Sequence, residues 1–140
     1  MGMKIDLLYP DLSYKIIGCA FDVFNEIGSG HKEKIYHASM SISMKKLQME
    51  HINELYYPVK YQNETVGKNY FDFLVEKSIV VEIKTSDRFT KKHFEQLENY
   101  LTVSGYKLGI LIAFTKTQVK YHRVLNLSIL NKEKTSSTLS

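Results

Sequence analysis

The sequence predicts a single α/β domain in which a mixed β-sheet of about five strands is flanked by helices, in the order ααβββαββ. Apolar residues recur at three- and four-residue spacing in three segments, as expected for helices. In five shorter segments they alternate or run continuously, as expected for strands. The third helix lies between two apolar runs, which favours a right-handed crossover and parallel pairing of those two strands.

Two helices are predicted first, over residues 12–27 and 31–47. Asp11 or Ser13 can cap the start of the first helix, and Gly28 can end it. The glycine-rich corner at residues 28–30 then joins the two helices tightly.

The next segments change to the period of a strand. Alternation at residues 55–59, interrupted by Pro58, indicates an edge strand or a bulge. Residues 66–75 and 78–84 form a predicted hairpin, whose second strand contains a β-branched run typical of a buried central strand.

The last part of the chain completes the predicted sheet. Thr90 is a suitable N-cap for a helix over residues 91–103, and Gly105 follows it as a C′ glycine should. Strands are predicted at 108–114 and 118–124. The domain is expected to cover residues 1–127, with a polar, disordered tail at 128–140.

Composition limits the function classes. The formal net charge of +4 and pI near 9.0 are a mild bias toward polyanionic partners. No stretch approaches the ~20 apolar residues that span a bilayer, and the first residues lack the features of a signal peptide. Cys19 is the only cysteine, so an intrachain disulfide is impossible and a cytoplasmic, reducing location is expected.

Glu82 and Lys84 carry charge at the end of the predicted central strand. They point to one face and Ile83 to the other, because side chains alternate along a strand. Burying such charges unpaired is costly. They therefore pair with each other, emerge into solvent, or line a polar pocket.

Asp72 lies in the preceding strand between two phenylalanines, where a carboxylate needs a reason. A three-residue loop, residues 76–78, places Asp72 directly across from Glu82, whereas a two-residue loop turns them to opposite faces. Two facing carboxylates repel, so one takes up a proton unless a cation lies between them. A hard divalent ion with oxygen ligands is the stronger solution.

These residues resemble the PD-(D/E)XK nuclease superfamily, which combines an Asp with a Glu-x-Lys about ten residues later on adjoining strands. The match is closer to its GxxExxY branch, through Gly30-His31-Lys32-Glu33-Lys34-Ile35-Tyr36. The hairpin at 71–84, the helix segment at 96–101 and the strand at 108–114 also resemble that branch. The similarity covers roughly residues 12–125 and implies a restriction-endonuclease-like core.

The resemblance implies roles for individual residues. Asp72, Glu82 and Glu33 would be metal ligands, with the carbonyl of Ile83 as a further ligand. Lys84 would orient or deprotonate the attacking water. Gln96 and Tyr100, four residues apart and so on one helix face, resemble the Q-x-x-x-Y element that supports the site in several exonuclease branches. Where the family often has a basic residue and an Asn, this chain has Phe71 and Ala113.

Simpler interpretations stay open for several residues. Glu33 can be a first-turn acid that favours the helix dipole, Gln96 a surface residue, and Tyr100 a core residue with its hydroxyl at the rim. Tyr36 is predicted to be a core aromatic. The histidines lack regular ligand spacing and are expected to be structural or exposed, although His93 can share a face with Gln96. They are His31, His37, His51, His93 and His122.

Three functions follow from these residues. The first is a Mg²⁺- or Mn²⁺-dependent nuclease that hydrolyses phosphodiester bonds of nucleic acid, with DNA the expected substrate. The second is a nucleic-acid-binding or regulatory protein that keeps the fold without efficient catalysis. The third is a protein–protein module, which an exposed apolar patch around Tyr56 and Tyr57 would support. A homodimer is compatible with cleavage of two strands, by analogy.

Overall fold

The computed structural model describes residues 8–129 of the chain. The elements within these residues follow the predicted order ααβββαββ. The elements are α1 (Pro10–Ile27), α2 (Glu33–Lys46), β1 (His51–Tyr61), β2 (Glu64–Val75), β3 (Ile79–Lys84), α3 (Lys91–Ser104), β4 (Leu108–Phe114) and β5 (Val119–Leu125). Most of the predicted tail, residues 130–140, lies outside the described residues.

The strands form one mixed sheet in the order β1-β2-β3-β4-β5. Among the strands of residues 8–129, β3 and β4 alone pair in parallel, with Ile79 beside Leu108 and Lys84 beside Ala113. Helix α3 makes the crossover between them, as predicted. The α/β fold class and the mixed sheet of five strands are therefore confirmed.

Each face of the sheet has its own hydrophobic core. Helices α1 and α2 cover the face that carries Val81, Ile83 and Ile110. Helix α3 covers the opposite face, where Leu97 packs with Val80. The central strands β3 and β4 are consequently buried on both sides, which explains their β-branched composition.

The helix ends follow local chemistry, with one correction. Thr90 caps α3 by accepting a hydrogen bond from the His93 N–H, and Gly105 ends α3 at φ +88°. Gly28 ends α1 as predicted. The predicted capping of α1 by Asp11 or Ser13 is wrong, because α1 begins at Pro10, whose ring presets a helical φ.

Strands β1 and β2 are longer than the sequence predicts. Their pairing continues from Leu55 opposite Phe71 to Tyr61 opposite Glu64, beyond the last pair between β2 and β3. The pairs of residues 55–61 and 64–71 thus form a two-stranded ribbon, called here the β1–β2 ribbon. Among residues 8–129, no helix is long and apolar enough to span a membrane.

Candidate active site

The hairpin between β2 and β3 has the register that the metal-site hypothesis requires. Val75 pairs with Ile79, and Phe73 pairs with Val81. The loop is the three residues 76–78, in which Glu76 and Lys77 both adopt the left-handed region, at φ 50° and 55°. The next position in this register places Asp72 across from Glu82.

The two strands separate at Asp72, and side chains replace the backbone ladder there. The Ile83 N–H donates to Asp72 Oδ2 at 2.8 Å, and the Asp72 N–H donates to Glu82 Oε1 at 3.3 Å. Phe71 and Leu74 pack in the same core although strict alternation would separate them. The alternation of β2 therefore breaks at the opening, and both carboxylates lie in the gap between the strands.

The positive charge near the Glu82 carboxyl is too weak to keep that group ionised at neutral pH. The burial of this carboxyl, then its hydrogen bond to Asp72 and the negative charge of Asp72, raise the pKa of Glu82 to about 9. Lys84 opposes this shift, but its Nζ lies 4.0 Å from Glu82 Oε2. Glu82 is 12% exposed and Lys84 25%. At neutral pH the Glu82 carboxyl is consequently protonated. A cation closer than Lys84 would allow it to ionise.

The residues present fit a divalent metal as a two-carboxylate site. No group of three or more His, Cys, Asp or Glu side chains within residues 8–129 is arranged to hold a metal ion. Magnesium is commonly bound by one or two carboxylates, with waters and phosphate oxygens completing the shell. Asp72 Oδ1, Asp72 Oδ2 and Glu82 Oε1 each keep a lone pair beyond the hydrogen bond they accept, so both carboxylates remain capable of ligation.

Glu33 lies in the same cavity as Asp72. Helix α2 begins at Glu33, which places its carboxylate in the first turn. A cavity of about 260 Å³ is lined by Glu33, Lys34, His37, Glu54, Tyr70, Phe71 and Asp72. The structure therefore brings Glu33 to the Asp72 side of the strand opening. The simpler interpretation, a first-turn acid, describes its position on α2 equally well.

Tyr36 holds the start of α2 in place. Its buried ring stacks on Phe114 with centroids 4.2 Å apart, and its hydroxyl donates to the Gly28 carbonyl at 2.7 Å. The prediction that Tyr36 is a core aromatic is confirmed. The hydroxyl links α2 to the corner at residues 28–30. Tyr36 therefore also fixes the position of the first turn of α2, which contains Glu33.

His37 is a site residue that the sequence analysis missed. Its Nδ1 lies 2.7 Å from Asp72 Oδ1, and its ring stacks on Phe73 with centroids 4.3 Å apart. His37 was expected to be structural or exposed because no ligand spacing included it. It follows Glu33 by four residues, so the shared helix face was the available signal.

Gln96 and Tyr100 lie on helix α3, which packs on the face of the sheet that carries Phe71. Tyr100 is buried against Phe71 and Tyr57, with ring centroids at 4.7 Å and 4.9 Å, and burial raises the pKa of its hydroxyl. The Tyr100 ring thus packs against Phe71, the residue that precedes Asp72. Gln96 is half-buried, and within residues 8–129 its side chain forms no hydrogen bond.

His93 connects α3 electrostatically to both sides of the opening. Burial and then the positive charge of Lys84 lower the pKa of His93, while the negative charge of Glu33 opposes this change. Lys84 and Glu33 therefore both lie near the N-terminus of α3. The imidazole Nδ1 itself accepts the Thr90 N–H at 3.2 Å, which gives His93 a capping role.

A mixed sheet with helices on both faces, whose strands open at an Asp and a Glu-x-Lys, defines a restriction-endonuclease-like protein. Residues 10–124 match the sequence profile of the PD-(D/E)XK nuclease superfamily, and the chain belongs to that superfamily. No curated protein matches the sequence.

Solved structures of similar fold include that titled SSO0001, at 20% identity and a TM-score of 0.51. The superposition covers 77% of this chain and 59% of SSO0001, so the chain spans about three fifths of that protein's length. This likeness shows a shared fold. An alkaline exonuclease (LHK-Exo) from Laribacter hongkongensis matches at 10% identity and a TM-score of 0.46, covering 81% of this chain and 79% of that one.

Proposed function

We propose that this protein is a Mg²⁺- or Mn²⁺-dependent nuclease that hydrolyses phosphodiester bonds of nucleic acid, with DNA as the substrate, and that it belongs to the GxxExxY branch of its superfamily. The observation that carries the proposal is the strand opening, where Asp72 and Glu82 share a gap beside Lys84. Two carboxyl groups this close are not both ionised unless a cation lies between them, and a divalent ion would supply that charge.

Asp72 and Glu82 would hold the metal, with the Ile83 carbonyl and Glu33 as further candidates. When bound, the metal polarises the scissile phosphate and lowers the pKa of a water. Lys84 emerges from β3 on the same face as Glu82, so its ammonium can hold that water in position and offset charge that develops on the phosphate.

Two further residues would position Asp72 and α2. The His37 Nδ1–H donates to Asp72 Oδ1, which turns the carboxylate and leaves Oδ2 to the Ile83 N–H. Tyr36 holds the first turn of α2 and with it Glu33.

Gln96 and Tyr100 are proposed to support the site from α3, where the Tyr100 ring packs against Phe71.

A cleavage assay tests the proposal. Single-stranded, duplex and branched DNA are incubated with Mg²⁺, with Mn²⁺ and with EDTA, using wild type, Asp72→Asn and Lys84→Ala. Asn keeps an oxygen for the Ile83 N–H but removes the charge. We expect both variants to lose about 100-fold or more in rate, the scale of losing one group that stabilises the transition state.

Matched controls are Asp11→Asn on the surface of α1 and Lys77→Ala in the β2–β3 loop, both exposed and outside the opening. They should cleave like wild type. Wild-type rates in Asp72→Asn and Lys84→Ala would rule out this site.

A second candidate function is nucleic-acid binding or regulation without efficient turnover. It is favoured by the absence of a three-donor metal group among residues 8–129. Its signature in the same experiment is DNA binding with no cleavage in either metal. In that case Asp72→Asn should leave binding intact or strengthen it, because it removes a negative charge that faces the phosphates.

A further inference from the structure

The β1–β2 ribbon carries a pair of exposed tyrosines. Tyr56 and Tyr70 are direct cross-strand partners with ring centroids 5.5 Å apart. They remain 45% and 51% exposed, respectively. Neighbouring rings on the opposite side of the ribbon, such as Tyr57, instead pack against Phe71 and Tyr100. The exposed pair has no such covering within the described chain.

This pair is continuous with the candidate active site. Tyr70 lines the cavity that also contains Asp72, Glu33 and His37. Two residues of strand separate Tyr70 from Asp72, or about 7 Å. A group stacked on the tyrosines would therefore lie within one or two nucleotides of a phosphate bound at the strand opening.

The charges around the pair fit a strand that follows the ribbon. Lys34 lines the same cavity, and Lys68 is exposed two residues from Tyr70, hence on the same face of β2. Glu54 and Glu33 also border the cavity and repel phosphate. The acidic residues thus lie on the metal side and Lys68 on the distal side of the tyrosines.

We infer that Tyr56 and Tyr70 form a stacking platform for an unpaired base, so that the substrate is single-stranded nucleic acid or the single-stranded part of a branched molecule. Exposed aromatic rings beside basic groups bind single strands by stacking on the bases. In an intact duplex the bases already stack on each other and their faces are not available. This inference rests on the proposed nuclease function for its biological meaning, but the binding it describes can be measured alone.

The test compares two fluorescent probes of equal length, oligothymidylate and an abasic strand with the same number of phosphates. Binding is measured by anisotropy in EDTA at low salt, so that metal and turnover play no part. We expect wild type to prefer the base-containing strand. Tyr56→Ala/Tyr70→Ala should weaken oligothymidylate binding by about 5- to 150-fold, the range for loss of a stacked base, and leave abasic binding unchanged.

Tyr56→Phe/Tyr70→Phe keeps both rings and should bind like wild type, which separates stacking from any hydroxyl contact. Tyr14→Ala is the matched control, since Tyr14 is 81% exposed on α1. It should have no effect. Circular dichroism of the double alanine variant establishes that the ribbon variant is folded.

Equal wild-type affinity for the two probes, or an unchanged preference in the folded double alanine variant, would overturn the inference. Preference for duplex over single strand, or a self-association that Tyr56→Ala/Tyr70→Ala abolishes, would overturn it as well. If the tyrosine-dependent preference is present but no metal supports cleavage, the platform stands and the nuclease proposal fails. If cleavage depends on Asp72 but binding does not depend on the tyrosines, the nuclease proposal stands and the platform fails.

Discussion

Glu82 makes the stability of the folded chain depend on pH, and the Glu82→Gln variant is expected to remove that dependence. The pKa of Glu82 is about 9 in the folded chain, against 4.5 for the unperturbed group. Burial is the largest cause, followed by the hydrogen bond and charge of Asp72. The folded chain therefore holds a proton that the unfolded chain has already released at neutral pH.

The sign and size follow from proton linkage. The folded state binds about one proton more than the unfolded state between these two pKa values, so stability falls as pH rises through this window. The slope is about 1.4 kcal/mol per pH unit, or about 2–3 kcal/mol between about pH 5.5 and about pH 7.5. The contribution is fully present below the unfolded pKa and is lost as pH passes the folded one.

The assay is urea denaturation of metal-free protein at those two pH values. Gln is neutral throughout and keeps an oxygen that can accept the Asp72 N–H. Wild type should lose about 2–3 kcal/mol more than Glu82→Gln on going to the higher pH. Glu64→Gln, at an exposed residue of the ribbon, should retain the wild-type slope. Equal slopes in wild type and Glu82→Gln would refute the assignment of a buried, protonated Glu82.

Gly109→Ala should destabilise the fold by about 1–3 kcal/mol in urea denaturation, because the added Cβ would lie 2.7 Å from Cδ2 of buried Leu97, and an unchanged midpoint would contradict this packing. Tyr36→Phe keeps the ring but loses the bond to the Gly28 carbonyl, so a loss of about 1 kcal/mol is expected by the same method, against no change if the hydroxyl is unimportant. Mg²⁺ at about 100 times its Kd should stabilise wild type by about 2.7 kcal/mol in thermal denaturation, and the same Mg²⁺ concentration should stabilise it more at higher pH, where Glu82 is easier to deprotonate. Asp72→Asn should not respond, and an equal response would place the metal elsewhere.

One part of the candidate site, the pair Glu82 and Lys84, follows from strand geometry alone. Glu82 and Lys84 share a face because alternation along a buried strand is strict, and the structure has them together. The position of Asp72 across from Glu82 depends on the length of the loop between β2 and β3. The sequence is compatible with a loop of two or of three residues. The left-handed Glu76 and Lys77 accompany the three-residue form. Neither residue is one that such a conformation usually selects, so the turn could not be predicted from composition.

His37 could not be assigned by the same reasoning, because its contact with Asp72 spans α2 and β2. Helix periodicity places His37 on the face of Glu33, but the docking of α2 on the sheet decides which residue of that face reaches the carboxylate. The mixed sheet flanked by helices was predictable from the element order, and its restriction-endonuclease-like core from the family resemblance, whereas this contact depends on tertiary packing.

The β1–β2 ribbon was underestimated for a different reason. Much of each side of the ribbon faces water, so the alternation of apolar and polar residues is weak, and Pro58 interrupts it further. Propensity therefore predicted a strand only at residues 55–59, while pairing with β2 extends it to His51–Tyr61. The exposed tyrosines beside the cavity emerged only with that pairing.

The most direct test of the metal site is a crystal soaked in Mn²⁺, with anomalous difference maps collected on wild type and Asp72→Asn. The arrangement of Asp72 and Glu82 predicts a peak within about 2.5 Å of carboxylate oxygens from both residues in wild type, and none at that position in the variant. A well-ordered strand opening without a peak at saturating Mn²⁺, or a peak held by other residues, would contradict the proposed centre.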